Sequence, residues 1–160
     1  MALKVDRALC CCFSGHRPEK LRRDEMQIKG YLGQAIVQAI AQGYQVFIIG
    51  MARGTDLWAG EILLRIRETN PKIKIVAALP YQGFEDNWKR ESRQLYQKIL
   101  RRADHVEYIS PAYNRSCFQK RNEWMVDHSN RLIAVFDGIP GGTKNTIQYA
   151  AKVGIEMCII

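Results

Sequence analysis

The stretch QVFIIGMARGTDLWAG, residues 45–60, contains the pattern that decides the fold. Residues 45–50 form a short, nearly continuous apolar run, which is typical of a strand buried on both faces of a parallel sheet. A loop with two glycines and an arginine follows, and Thr55 or Asp56 is a good N-cap for a helix that reaches about Thr69. The stretch therefore predicts a strand, a polar loop and a helix, which is the repeating unit of α/β proteins.

The same alternation recurs along the whole chain. The runs that predict strands are residues 8–14, 45–50, 72–80, 105–110, 131–137 and 155–160. Helical patterns lie between them, with an apolar stripe from Ile28 to Ile40 that Gly43 closes, and with further helices at about 55–69, 86–103, 118–129 and up to Val153. The pattern predicts an α/β fold, a Rossmann-like three-layer sandwich in which a mostly parallel sheet of about six strands has helices on both faces.

Length and composition limit the classes of protein to which the chain can belong. The chain has 160 residues, of which 47% are hydrophobic and 25% are charged, so we expect one domain over residues 1–160 with a single sizeable core. No stretch of about 18 apolar residues could cross a bilayer, and the first residues lack a signal-peptide pattern, so we expect a cytoplasmic protein with no membrane partner. Three of the five cysteines are consecutive (Cys10, Cys11, Cys12) without a CxxC pair, which predicts reduced core thiols and no metal site.

Basic residues outnumber acidic ones, with 24 Lys and Arg against 16 Asp and Glu and a formal net charge of +8. This excess favours phosphate, nucleic acid or another polyanion as a partner, or else it is a solvated surface property. One predicted helix has many basic residues, namely Lys89, Arg90, Arg93, Lys98, Arg101 and Arg102. Trp88, Tyr96 and Tyr113 are candidates for stacking on nucleic-acid bases, and the alternative is a solvated helix with Trp88 in the core.

Ligands of open α/β sheets bind beyond the carboxyl ends of the strands, near the point where the chain order reverses. The loops at that edge are residues 14–18, 50–56, 80–83, 110–116 and 137–143. The candidate ligand-binding residues in these loops are Ser14, Gly15, His16, Arg17, Gly50, Met51, Arg53, Gly54, Thr55, Asp56, Pro80, Tyr81, Asp137, Pro140, Gly141, Gly142 and Thr143.

Two of these loops are suited to phosphate. Gly141 and Gly142 let the backbone approach a ligand closely at the start of the last helix, whose free N–H groups and dipole favour an anion. Arg53 can pair with a phosphate in bidentate fashion, and Asp56 can accept hydrogen bonds from ribose hydroxyls. The alternatives are a tight turn that binds nothing, an Asp56 that only caps its helix and a solvated Arg53. A lone histidine such as His16 is more often structural or exposed than catalytic.

Four motifs, in this order and spacing, resemble the SLOG superfamily: SGHRPEKL, GMARGTDLWAGE, RNEWMVDHS and IPGGTKNT. This Rossmann-like lineage joins the DNA-processing protein Smf/DprA to the LOG-type phosphoribohydrolases. The similarity extends from about Leu9 to Ala150, and the chain looks most like the small, single-domain, uncharacterised YpsA-like branch. The resemblance implies the Rossmann-like fold, whereas this branch has no firmly assigned reaction.

The LOG-type enzymes, which release a base from a nucleoside monophosphate with an Arg and a Glu, are the comparison for chemistry. By this resemblance Arg121 falls where that family keeps its catalytic Arg, and it joins the candidate ligand-binding residues. The Glu is missing, because Gln148, or Tyr149 if one residue is inserted, stands at its position. Lys144 and Asn145 also replace the Gly-Thr of that motif. The resemblance therefore favours a nucleotide site over the reaction.

These observations lead to three functions, in order of preference. The first is the binding or sensing of a nucleotide or nucleotide-derived ligand, such as an NAD-like, ADP-ribose-like or nucleoside-phosphate molecule, with no other cofactor. The second is hydrolysis of a glycosidic or phosphate-ester bond in a nucleotide, in which Arg53 or Arg121 stabilises developing charge and Asp56 or Asp137 is the acid or base. The third is DprA-like nucleic-acid binding. The resemblance also implies a homodimer.

Overall fold

The computed structural model describes residues 4–160, which form a six-stranded sheet with helices on both of its faces. The strands are β1 (Cys10–Gly15), β2 (Val46–Ile49), β3 (Lys74–Leu79), β4 (His105–Tyr108), β5 (Arg131–Val135) and β6 (Glu156–Ile159). The α-helices are α1 (Glu25–Ala41), α2 (Thr55–Arg67), α3 (Arg90–Arg102), α4 (Cys117–Asp127) and α5 (Gly142–Val153). Short 3-10 turns, Arg7–Leu9 and Pro18–Lys20, precede β1 and α1. Within this part of the chain, no helix is long and apolar enough to cross a membrane.

All neighbouring strands pair in parallel, in the order β4-β3-β2-β1-β5-β6. The predicted Rossmann-like fold is thereby confirmed, and the sheet is fully rather than mostly parallel. The chain order reverses between β1 and β5, where Ser14 pairs with Ala134 and Gly15 with Val135. At such a switch point the adjoining connections lie on opposite faces, so a crevice opens beyond the carboxyl ends of these two strands.

Helices α1, α2 and α3 cover one face of the sheet, and α4 and α5 cover the other. The side chains of β1 alternate between the two resulting cores, with Cys11 and Phe13 on the first face and Cys10 and Cys12 on the second. Burial raises the pKa of Cys10 to about 11 and that of Cys12 to about 12. All five cysteines are free, so the consecutive thiols are core packing groups, as predicted.

Helix α2 begins differently from the prediction, because its N-cap is Gly54. Gly54 has a φ of 88° and contributes no side-chain hydrogen bond, so the prediction that Thr55 or Asp56 caps this helix is wrong. The left-handed backbone at Gly54 turns the chain directly into the helix, which leaves both residues in the first turn. The Asp56 carboxylate accepts a hydrogen bond from the N–H of Ala52 instead.

Helix α3 begins at Arg90, later than the predicted residue 86. The preceding segment forms two turns, with hydrogen bonds from Asp86 N–H to Gly83 O (3.1 Å) and from Trp88 N–H to Glu85 O (3.0 Å). Gly83 has a φ of 89°, which a glycine adopts without strain. These turns leave Trp88 before the helix, in the loop that follows the carboxyl end of β3.

We predict that Gly15→Ala destabilises the protein by roughly 1–3 kcal/mol, because the switch point is tightly packed. A Cβ at Gly15 would lie 1.9 Å from Oγ1 and 2.5 Å from Cβ of Thr55, at the start of α2. Chemical denaturation measures the loss. The matched control is Gly33→Ala in α1, which meets nothing within 4 Å and should stabilise the helix by up to about 1 kcal/mol. Wild-type stability of Gly15→Ala would contradict this packing.

Candidate ligand-binding site

A cavity of about 570 Å³ opens at the switch point of the sheet. Its volume falls in the range of small-molecule sites, about 300–1,000 Å³. Ten of the predicted site residues line it: Ser14, Gly15, His16, Arg17, Arg53, Asp56, Arg121, Gly141, Gly142 and Thr143. The parallel sheet thus brings the loops after β1, β2 and β5 together with one side chain of α4.

The other predicted residues are outside the lining, namely Gly50, Met51, Gly54, Thr55, Pro80, Tyr81, Asp137 and Pro140. Two of them, Thr55 and Asp137, contact residues beside the cavity. Thr55 packs directly against Gly15. Asp137 forms an ion pair with Arg23 (2.7 Å) and accepts a hydrogen bond from the N–H of Arg22 (3.1 Å), so its carboxylate ties the loop after β1 to the end of β5.

The cavity contains two buried charged side chains, Arg121 of α4 and Asp56 of α2, which are 5% and 7% exposed. Arg121 donates one hydrogen bond to the carbonyl oxygen of Gly50 and another from Nε to Oδ1 of Asn122 (2.9 Å). Oδ2 of Asp56 accepts a hydrogen bond from the N–H of Ala52 (3.2 Å), while its Oδ1 is buried without a hydrogen-bond partner. A Cβ at Gly50 would lie 3.0 Å from Oδ2 of Asp56 and 3.1 Å from Cζ of Arg121, so both groups adjoin this glycine.

Burial shifts the pKa values of these groups. It raises the pKa of Asp56, an effect that Arg121 and the Ala52 N–H only partly offset. Burial also lowers the pKa of Arg121, against the attraction of Asp56. His16 is 5% exposed, its pKa is lowered by burial, and its Nε2 has no hydrogen-bond partner. Asp56 and His16, which both line the cavity, therefore each keep one buried polar atom without a hydrogen-bond partner, a condition that is uncommon in folded proteins.

The glycine loop before α5 forms another wall of the cavity. Gly141 is the N-cap of this twelve-residue helix. Its φ of 148° is a backbone angle that residues with a side chain rarely adopt. The first turn of α5 therefore presents unpaired N–H groups and the positive end of the helix dipole. A Cβ at Gly142 would lie 3.8 Å from Nδ2 of Asn122. Since Oδ1 of Asn122 is held by Arg121, its amide N–H₂ lies near this helix end.

Basic side chains surround the mouth of the cavity. Arg17 and Lys20 are exposed lining residues of the loop after β1. Arg53, in the loop after β2, forms an ion pair with Glu19 across the gap between the two loops. Its side chain is 31% exposed and also lines the cavity. With Arg121 below them, four cations and one carboxylate, Asp56, belong to the lining, so the cavity favours an anion.

Seven lining residues lie outside the predicted set: Phe13, Lys20, Ala52, Phe84, Trp88, Phe118 and Asn122. Phe84 and Trp88 had a visible signal, because they follow the carboxyl end of a predicted strand, where ligands bind. The predicted helix began at about residue 86 and included Trp88, so Trp88 was not counted among the loop residues at this edge of the sheet. Asn122 had no such signal, since only the packing of α4 beside α5 places its amide near the glycine loop.

Neither residue at the position of the LOG-type glutamate lines the cavity. Gln148 is exposed on α5, and Tyr149 donates its hydroxyl to Oδ1 of Asp127 (2.7 Å). Over residues 4–160, no group of three His, Cys, Asp or Glu side chains could hold a metal ion. Among the lining residues, the one carboxylate is that of Asp56, on α2.

A parallel sheet with this strand order and a polar cavity at its switch point defines a Rossmann-like α/β protein. The chain belongs to the YspA SLOG family, whose model matches residues 11–156, and the predicted SLOG relationship is thereby confirmed. Among curated proteins it is similar to UPF0398 proteins of Bacillus cereus strain G9842 and Bacillus thuringiensis strain Al Hakam. Each is 32% identical over 130 residues, which make up 79% of this chain and 71% of the relative.

Two solved structures share the fold. DNA processing protein A (DprA) of Streptococcus pneumoniae superposes with a TM-score of 0.51 at 14% identity, over 91% of this chain and 57% of that one. The Helicobacter pylori protein of the same name, described for its single-stranded DNA binding mode, gives a TM-score of 0.60 at 17% identity, over 93% and 64%. The chain thus spans less than two thirds of either protein, and the likeness is one of fold.

We predict that Asp56→Asn raises the free energy of unfolding at pH 7, because burial disfavours the ionised carboxylate. The pKa of Asp56 is raised in the folded state, so at a pH above this raised pKa the protein bears the whole free-energy cost of burying the charge. Below the ordinary aspartate pKa of about 3.9 the carboxyl is neutral in both states and the cost disappears. The gain over wild type should therefore shrink as the pH falls from 7 to about 4. Denaturation at several pH values measures it, with Asp86→Asn at an exposed aspartate as the control. A gain that grows in acid contradicts the prediction.

Proposed function

We propose that the chain binds a nucleotide or nucleotide-derived ligand in the switch-point cavity, with its phosphate at the N-terminus of α5. One observation carries this proposal: a glycine-led helix start, four cations and a buried carboxylate with a free oxygen line the same cavity. Each feature alone has a structural explanation. Together they match an anionic group and a set of hydroxyls on one small molecule.

The phosphate is assigned to the glycine loop because its donors converge there. The first N–H groups of α5 have no partner within the helix, and the missing side chains of Gly141 and Gly142 leave them accessible. The amide of Asn122 adds a side-chain donor near Gly142. Arg17 and Lys20 supply the charge that draws the anion to the mouth.

The sugar is assigned to the free Oδ1 of Asp56. A buried carboxylate oxygen without a donor is unfavourable, and a ribose hydroxyl would satisfy it. The neighbouring Arg121 is already held by Gly50 and Asn122, so its guanidinium is preorganised beside Asp56. In this arrangement Asp56 selects ligands that present a hydroxyl next to their anionic group.

We predict that nucleoside phosphates raise the melting temperature of the protein. A ligand at about 100 times its Kd should raise it by roughly 5–10 °C for a domain of this size. Arg53→Ala should reduce the shift by removing a cation, and Asn122→Asp should reduce it further by placing a negative charge beside the phosphate. Differential scanning fluorimetry with a broad nucleotide panel measures all three proteins.

The matched control is Arg65→Ala, which removes the same charge from an exposed residue of α2 outside the lining. It should keep the full shift. If no nucleotide raises the melting temperature of the wild type, or if Arg65→Ala loses as much of the shift as Arg53→Ala, the site is not the one proposed.

Sedimentation of the same samples tests the expected homodimer.

Nucleic-acid binding is a second candidate, favoured by charge on the surface. The six basic residues of the predicted helix, Lys89 to Arg102, are all exposed along α3 and its N-cap, although Tyr96 is buried and unable to stack on bases. The described DNA binding of the Helicobacter pylori neighbour points in the same direction. An open cavity with basic residues at its mouth could also receive one nucleotide of a single-stranded nucleic acid.

We predict for this second candidate that affinity for single-stranded DNA falls steeply with salt, because phosphate contacts release counterions. Fluorescence anisotropy with a labelled oligonucleotide at several salt concentrations gives the slope. The double variant Lys98→Ala/Arg101→Ala should lower the slope by about 1.4 if both residues contact phosphates. The absence of binding even at low salt would rule this function out.

A further inference from the structure

Three aromatic side chains line the switch-point cavity beside the charged groups already described. Phe84 and Trp88 come from the loop between β3 and α3, and Phe118 comes from the first turn of α4. All three are partly buried. In the sheet, β3 is separated from β5 by β2 and β1, so the strand ends that carry the aromatic loop and the glycine loop are about 14 Å apart. The cavity therefore has an aromatic part and an anion-binding part.

The aromatic part is held rigidly by edge-to-face contacts. Phe84 packs against Trp88 with ring centroids 5.1 Å apart and an interplanar angle of 80°, and Tyr96 meets these two rings at 5.7 and 5.5 Å. Tyr81 connects Phe84 (6.0 Å) to Phe118 (6.3 Å) in the same manner. Tyr96 is buried in the core and anchors the group. Rings fixed in this way lose little conformational freedom when a planar ligand packs on them.

Helix α4 connects the aromatic part to the anion-binding part. Cζ of Arg121 lies 5.8 Å from the ring centroid of Phe118, and Asn122, the next residue, reaches the glycine loop. Phe118 and Asn122 are four residues apart, about 6 Å along the helix axis. One small molecule can therefore contact the aromatic rings, the Arg121 and Asp56 pair and the start of α5 together.

We propose that Phe84, Trp88 and Phe118 form a subsite for the base of the nucleotide, which makes purine nucleoside phosphates the preferred ligand class. The inference rests on the proposed function, because it takes the phosphate to lie at α5. Stacking accepts any base, but its strength increases with the area of the ring system, so purines are favoured over pyrimidines. A sugar phosphate without a base would leave the aromatic rings uncovered.

The test compares phosphate compounds with a purine base, with a pyrimidine base, without a base, and without base or sugar. Isothermal titration of the wild type with AMP, CMP, ribose 5-phosphate and inorganic phosphate should give affinities that fall in that order. Loss of the base from AMP should weaken binding roughly 10- to 100-fold. AMP should also quench the fluorescence of Trp88 by stacking, whereas ribose 5-phosphate should not.

The variant Trp88→Leu should lose most of the preference for AMP over ribose 5-phosphate and the AMP-dependent quenching, while keeping its affinity for ribose 5-phosphate. The matched control is Trp124→Leu, which removes a partly buried tryptophan that stacks on His128 (4.0 Å) outside the lining. It should keep the preference. Phe118→Leu gives the same comparison if Trp88→Leu does not fold.

The outcomes separate the two proposals. Equal affinity for AMP and ribose 5-phosphate, or an unchanged AMP preference in both Trp88→Leu and Phe118→Leu, would overturn the base subsite and leave the phosphate site standing. If neither AMP nor the other phosphate compounds bind, the proposed function fails, and the subsite with it.

Discussion

The hydrogen bond from Arg121 to the carbonyl oxygen of Gly50 is the interaction on which the site depends. Arg121 belongs to α4, on one face of the sheet, whereas Gly50 and Asp56 precede and begin α2, on the other face. The guanidinium therefore connects the two helical layers at the edge where the crevice opens. The oxygens of Asn122 and Gly50 accept hydrogen bonds from its Nε and Nη1, and these two bonds fix its position. The position of the Asn122 amide follows from this arrangement, and Asp56, held by the Ala52 N–H, lies beside the same glycine.

Two buried polar atoms of the site lack a hydrogen-bond partner, and this lowers the stability of the fold. Asp56 is buried with one oxygen unpaired, and the pKa of its carboxyl is raised because burial outweighs the attraction of Arg121. His16 presents a second unpaired atom nearby. Such groups cost stability in a protein whose net stability is small. The two apolar cores that sandwich the sheet offset that cost, and retaining these groups is typical of sites where a ligand completes the hydrogen bonding.

Most of the fold and part of the candidate site could be predicted from local patterns. Apolar runs and helical stripes identified the six strands and five helices, and glycines beside strand ends marked the loops that line the cavity. The errors arose where a local pattern had two physical solutions. Thr55 and Asp56 are good capping residues, but Gly54 begins the helix through its backbone. Residues 86–89 fit a helical pattern, but the turns before Arg90 leave Trp88 in the cavity wall.

The sequence by itself determined the order of strands and helices along the chain and the parallel sheet. It also determined the thiols in the core and the glycines at the start of α5. These properties follow from periodicity and backbone preferences over short stretches. Only the tertiary structure decided which side chains share the cavity. Arg121 meets Gly50 across 71 residues, Asn122 lies near the glycine loop, and three aromatic rings from two elements face the same space. Such contacts depend on how helices pack across the sheet, which spacing along the chain does not specify.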